Sequence, residues 1–166
     1  MTQHAVSSVL RIHLSCIPPT TTHQDKHIVK IGAWSRLADK PTLIEAKSTL
    51  DSLLLPHQLP RPIDGPYIVA FEFTWPWLKG ARKWERALGR IPMTSRPDAS
   101  NLAKTLEDRL SRLKFIHDDN AVVELHVRKW WGDEPGIDIA IASITQRAEV
   151  IPAANDLFAQ LEEAHP

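Results

Sequence analysis

The stretch Tyr67-Ile68-Val69-Ala70-Phe71-Glu72-Phe73-Thr74-Trp75 constrains this chain more than any other. It is mostly apolar and rich in aromatic and β-branched residues, which makes it the strongest strand in the sequence. Asp64-Gly65-Pro66 marks a turn just before it. With 166 residues there is room for one ordinary domain with a real core. No window approaches the roughly 18 uninterrupted apolar residues that a membrane helix needs. The segment Met1 to Leu14 has no basic run leading a long hydrophobic one, so no signal peptide is expected. Cys16, the lone cysteine, excludes an internal disulfide and any multi-cysteine metal site, and its apolar surroundings predict a buried, inert thiol. These features point to a cytoplasmic protein.

Around the central strand the remaining elements follow from local patterning. Val9 to Leu14 alternates at Arg11 and His13 as a strand does, and Pro18-Pro19 ends it. Thr20 to Lys40 reads as a long ordered loop or a short hairpin. Pro41-Thr42 opens a helix with Leu43, Ala46, Leu50 and Leu53-Leu54 on one face, closed by Pro56, Pro60 and Pro62. A second helix runs from Asp98 or Ala99 to Leu113, capped by Asp98 or Ser100, with Leu102, Leu106, Leu110 and Leu113 as its core stripe. The turn His117-Asp118-Asp119-Asn120 leads into a strand over residues 121–130. Ile137 to Ile144 alternates as a further strand, and Asn155 to Ala164 reads as a short C-terminal helix. The order β-α-β-α-β-β-α predicts a single α+β domain, a small mixed or antiparallel sheet with helices packed on one face.

Formal net charge is zero, with 20 Lys and Arg against 20 Asp and Glu. The average hides an asymmetry. Between Trp75 and Arg96 stand Lys79, Arg82, Lys83, Arg86, Arg90 and Arg96 against Glu85 alone. From Arg147 onward, Glu149, Asp156, Glu162 and Glu163 make the end of the chain acidic. The basic segment is either a polyanion-binding surface or a solvated loop.

The second helix and the turn beyond it carry the candidate chemistry. Asp98 stands at the helix start, Asp118 and Asp119 follow its end, and Lys104, Glu107 and Asp108 lie on one face at three- and four-residue steps. Each residue has a bland reading: a cap, a turn, an i,i+4 pair. Converging, they suit phosphodiester hydrolysis, in which carboxylates hold Mg²⁺ and an ammonium stabilises charge on the phosphoryl group. Oxygen-only ligands favour Mg²⁺ or Mn²⁺ over zinc.

Two stretches together resemble the RusA family of Holliday junction resolvases, found largely in phages and prophages. The first is Pro97-Asp98-Ala99-Ser100-Asn101-Leu102-Ala103-Lys104 followed by Asp108-Arg109-Leu110. The second is Asp118-Asp119-Asn120-Ala121-Val122, running on to Lys129. Ile17-Pro18-Pro19, Asp64-Gly65-Pro66 and the run from Trp130 to Ile137 add to the likeness, which spans residues 9–145 and leaves 146–166 as an acidic extension. The resemblance implies a RusA-like fold and a homodimeric endonuclease that resolves four-way DNA junctions by paired nicks with Mg²⁺. No nucleotide cofactor and no membrane are implied. Asp98 and Asp119 match metal-binding aspartates, with Asp118 beside them, and Lys104 matches a lysine important for cleavage.

One position departs from the family pattern: its second helix-start aspartate is Ser100 here. Either Glu107 or Asp108 supplies the missing carboxylate, or catalysis has decayed while junction binding survives. Expected phosphate contacts are Lys26, Lys79, Arg82, Lys83, Arg86, Arg96 and Lys129, with Lys30 as a secondary candidate. Trp77 and Trp84 either stack on unpaired bases or pack internally. Trp130 and Trp131 are expected to pack, and His23 and His27 to lie on the surface. Three functions compete: a structure-selective endonuclease, a non-catalytic binder of branched DNA on the same scaffold, and an α+β interaction module with no affinity for DNA.

Overall fold

The computed structural model describes residues 6–22 and 24–144. The expected C-terminal helix over residues 155–164 and the acidic extension lie outside these, as does His23. The strand read from Tyr67 is observed as β4 (Tyr67–Pro76), at the centre of a five-stranded sheet. Its neighbours are β7 (Gly136–Ile144), antiparallel, and β6 (Val122–Gly132), parallel. The strands β1 (Val6–Leu14) and β5 (Arg90–Pro92) flank these, giving the order β1-β7-β4-β6-β5. A parallel pair needs a long crossover, and that crossover carries the second helix. The mixed sheet, with its long helices on one face, is the α+β arrangement predicted.

That face is set by alternation along β4. Tyr67, Val69, Phe71, Phe73 and Trp75 point to the main core. There they meet α1 (Pro41–Leu54) through Leu50 and Leu54, and α3 (Ala99–Arg112) through Leu102, Leu106 and Leu110. Cys16 is half-buried against this core, and burial pushes its thiol pKa up. The simple alternation expected of β7 is not observed, because a central strand loses both faces to protein: Ile137, Ile139 and Ile141 join the main core while Ala140 and Ala142 are buried on the other side.

Beyond Ala70 and Ala140 the second face turns ionic. His13 Nδ1 lies 2.7 Å from Asp138, Arg90 donates to Glu72 at 2.6 Å, and His126 lies 2.5 Å from Glu124. Arg90 also covers the Trp130 ring at 4.7 Å. Residues 26–39, open in the sequence between loop and hairpin, form a separate two-stranded sheet of β2 (Lys26–Ile31) and β3 (Trp34–Asp39). The basic segment contains one helical turn, α2 (Lys83–Arg86), before β5. Among the described residues no helix is long and apolar enough to cross a membrane.

Candidate active site

The helix α3 places most of the candidate residues. Its leucine stripe buries one side and leaves Lys104 and Asp108 part-exposed on another. Asp98 occupies the cap position with extended backbone, yet its side chain makes no capping hydrogen bond; its Oδ2 lies 3.4 Å from Asn101 Nδ2 instead. The expected cap role is therefore unfilled, and a solvent-exposed carboxylate remains at the helix start. What fixes that start is Lys129 on β6. Its ammonium donates to the carbonyls of Ser95 and Pro97, both at 2.7 Å. The structure thus places Lys129 as a tie between sheet and helix.

At the other end of the crossover, the 3-10 turn Asp119–Ala121 brings the acidic bend back beside α3. Asp118 Oδ1 accepts the Asn120 backbone N–H at 2.8 Å, which shapes the turn. The Lys104 ammonium donates to Asp119 Oδ2 and lies 3.3 Å from Asp108 Oδ1. The bond to Asp119 holds the Lys104 pKa above its ordinary value, and the same bond holds Asp119 below the usual carboxylate range. The i,i+4 pair with Asp108 alone contributes a few tenths of a kcal/mol, about 0.3–0.5; closing the turn onto the helix needs the longer-range partner.

Glu107 completes this group. It is 9% exposed and forms no hydrogen bond or ion pair among the described residues. Burial pushes its carboxyl pKa up, Asp119 and Asp108 nearby add to the rise, and Lys104 opposes it. A largely desolvated glutamate whose carboxylate accepts no hydrogen bond is available to a cation, so Glu107 is a candidate for a ligand. The donors are all oxygens and mostly anionic, which suits a hard divalent cation.

The structure brings together Lys104, Glu107, Asp108, Asp118 and Asp119. Asp98 and Ser100 make no hydrogen bond or ion pair with these five residues, and Asp98 lies six residues, about 9 Å along the helix axis, before Lys104. Among the described residues no three His, Cys, Asp or Glu side chains are arranged to hold a metal ion. Lys104 is the cation between the carboxylates of Asp108 and Asp119. The contacts observed join Asp119 to Lys104 and, through it, to Asp108, and none of them includes Asp98.

The basic segment leads from the end of β4 to the start of α3. Lys79, Arg82, Lys83, Arg86 and Arg96 are exposed. Arg86 lies 5.7 Å over the Trp77 ring, and Trp77 Nε1 donates to Asp133 Oδ1 at 2.8 Å, so Trp77 packs at the surface. Trp84 is 58% exposed and keeps its stacking face available. Trp131 packs on the core beside Trp75, as expected. Lys26 is half-buried and His27 exposed on β2. Sequence reasoning missed the ionic second face, where a cavity of about 430 Å³ is lined by His13, Glu72, Arg90, Glu134 and Asp138 among others. Its signal was Glu72, a charge inside the most apolar strand of the chain.

The chain matches the family described as Endodeoxyribonuclease RusA over residues 16–142. It is 37% identical over 51 residues to the crossover junction endodeoxyribonuclease rusA of Lactococcus phage r1t, covering 31% of this chain and 39% of that protein. It is also 34% identical over 65 residues to the uncharacterized protein YqaN of Bacillus subtilis (strain 168), covering 39% of this chain and 45% of that protein. The chain spans less than half the length of each of these relatives.

Proposed function

The chain belongs to the RusA family of endodeoxyribonucleases, and on that premise we propose that it is a Mg²⁺-dependent nuclease that resolves four-way DNA junctions by paired nicks in phage or prophage recombination or repair. The observation that carries this reading is the Lys104 ammonium held against Asp119 and Asp108, with the unpartnered Glu107 carboxylate beside them. Asp98, Asp118 and Asp119 would hold the metal, and Glu107 or Asp108 takes the place of the carboxylate that Ser100 lacks. A divalent ion bound there would supply an activated water and would neutralise charge on the leaving oxygen, with Mn²⁺ as the natural substitute.

The chain's own residues do the rest. Lys104 exchanges a carboxylate partner for a non-bridging phosphate oxygen and stabilises the negative charge that grows there. A donor of this kind is worth about 10²–10³ in rate. Lys129 holds the helix start, so that Asp98 and Lys104 keep a fixed spacing. Lys79, Arg82, Lys83, Arg86 and Arg96 position the strand through its phosphates, and Lys26 extends that surface. Two symmetric cuts in a two-fold junction call for two copies of the site, hence a homodimer.

Cleavage of a synthetic four-way junction, with and without Mg²⁺, tests the proposal. Paired nicks from the wild type, lost in Asp119→Asn, are the expected result. A second reading is favoured by the neutral Ser100 where the family pattern has a carboxylate: a junction-binding protein that no longer cuts. Tight, salt-sensitive junction binding without nicks in either metal would select it.

A further inference from the structure

The β2–β3 hairpin does not join the five-stranded sheet, and its two strands pair only with each other. A two-stranded ribbon is marginal in water on its own. Here its base is fastened: Lys47 on α1 donates to Asp39 at 2.6 Å, and the Lys40 N–H donates to the Asp25 carbonyl at 2.9 Å. The ribbon beyond that base is bare on both faces. Ile28 and Leu37, a cross-strand pair, are 68% and 65% exposed. Ile31 and Trp34, the pair next to the two-residue turn, are 55% and 82% exposed. Gly32 takes the left-handed φ of 61° at the first turn position, as a tight hairpin requires.

Exposed apolar residues in this number mark a binding surface, and the charge on the ribbon says what binds. From Lys26 to Ala38 there are three cations, Lys26, Lys30 and Arg36, and no acid. None of the three makes a side-chain hydrogen bond or ion pair among the described residues. Pairing two such ribbons from two copies would set cation against cation. A polyanion complements them, and a two-stranded ribbon fits the DNA major groove. Large apolar side chains at a projecting tip are the means by which proteins wedge open a base step or stack on a base already unstacked.

The location agrees. Asp51 on α1 meets Arg109 of α3 at 3.4 Å, and Gln58 beyond α1 donates to the Leu113 carbonyl beyond α3 at 2.8 Å, so the two helices run in the same sense. The hairpin, joined to the first residue of α1, projects at the end of the helical layer where α3 begins with Asp98.

We infer that the β2–β3 hairpin is a branch-point probe: Trp34 and Ile31 at its tip stack on bases exposed at a DNA junction, while Lys30 and Arg36 contact the flanking phosphates. The inference rests on the DNA-binding reading above and adds which element senses the branch. Stacking of one aromatic residue is worth about 1–3 kcal/mol, or roughly 5- to 150-fold in affinity.

The test uses the full chain in EDTA, which separates binding from cleavage. Fluorescence anisotropy gives Kd for an immobile four-way junction and for a linear duplex of matching sequence, and light scattering gives the mass. Trp34→Ala should weaken junction binding at least about 5-fold, with duplex affinity and mass unchanged and with Trp34→Phe recovering most of the loss. 2-Aminopurine placed at the branch should change its fluorescence on binding the wild type and not on binding Trp34→Ala. If the wild type binds the junction and Trp34→Ala binds it equally well, the probe is wrong and the nuclease reading stands. A mass that halves in Trp34→Ala makes the ribbon an interface between copies and overturns the inference. No junction affinity in the wild type removes the DNA-binding reading and this inference with it.

Discussion

Replacing Glu107 by Gln should stabilise the metal-free protein and weaken its response to Mg²⁺. Glu107 is 9% exposed, without a hydrogen-bond partner, and its carboxyl pKa is raised chiefly by burial. A raised folded-state value means that the folded protein binds this proton more tightly than the unfolded chain. The associated stability is fully present below the ordinary glutamate value and is lost as pH rises through the folded value. At pH 7, then, the ionised group is a liability. A wholly buried unsatisfied group costs about 1–3 kcal/mol, and the Glu107 carboxylate, whose oxygens are not fully closed off from solvent, stays toward the lower end. Lys104 offsets part of this, and the glutamine amide still lacks partners, so the net gain is near the lower end, about 1 kcal/mol. For a chain of this size that corresponds to roughly 2–4 °C in Tm. Saturating Mg²⁺ at about a hundred times its Kd adds about 2.7 kcal/mol to a protein that binds it. Scanning calorimetry at pH 7 should therefore show Glu107→Gln melting above the wild type in EDTA and below it in Mg²⁺. A variant that melts lower in EDTA, or that gains as much from Mg²⁺ as the wild type does, refutes the assignment of Glu107 to the metal.

Lys104→Met should lower the single-turnover cleavage rate by about 10²–10³ while leaving junction affinity in EDTA within a few-fold, as gel-shift titration would show. Asp119 is held below the ordinary carboxylate range by Lys104, so the stability it contributes is present above the unfolded-chain value and lost as pH falls through the depressed one. Urea midpoints measured from pH 6 downward should accordingly fall less steeply in Lys104→Met than in the wild type. Lys129→Ala removes two charge-assisted bonds to the Ser95 and Pro97 carbonyls and should destabilise the protein by about 1.5–3 kcal/mol, read as a lower urea midpoint at unchanged slope. Arg82→Ala and Arg96→Ala should each reduce the slope of log binding constant against log salt by about one, without changing preference among junction sequences.

Elements whose pattern is local were readable from the chain. The Leu102, Leu106, Leu110 spacing gives α3 its length and buried side, and Pro41 with its downstream leucines gives α1. The central strand declared itself by composition, and its flanking turn by Asp64-Gly65-Pro66. What stayed hidden depends on contacts between distant segments. Glu72 on β4 meets Arg90 on β5, and His13 on β1 meets Asp138 on β7; no spacing rule joins these. Nothing local announces that the ammonium of Lys129, a candidate cation for DNA, reaches carbonyls more than thirty residues away. The acidic site was legible in part. Helical geometry put Lys104, Glu107 and Asp108 on one side, and the returning strand brought Asp119 to them. The distance from Asp98 depends on where the turn docks along α3, which residue identities do not specify. Residues 20–40 were ambiguous for a similar reason: a ribbon exposed on both faces shows no clean alternation between core and solvent.

The paired bonds from Lys129 also decide which part of this site is able to swing. To shift the N-terminal end of α3 against the sheet, both carbonyl contacts must break together, so that end travels with β6 as one body. The Asp118–Asp119 bend has a lighter latch, the Lys104 ammonium, and a phosphate is well suited to draw that latch away. Adjustment of the carboxylates around an incoming backbone thus falls to the bend, pivoting against a stationary helix.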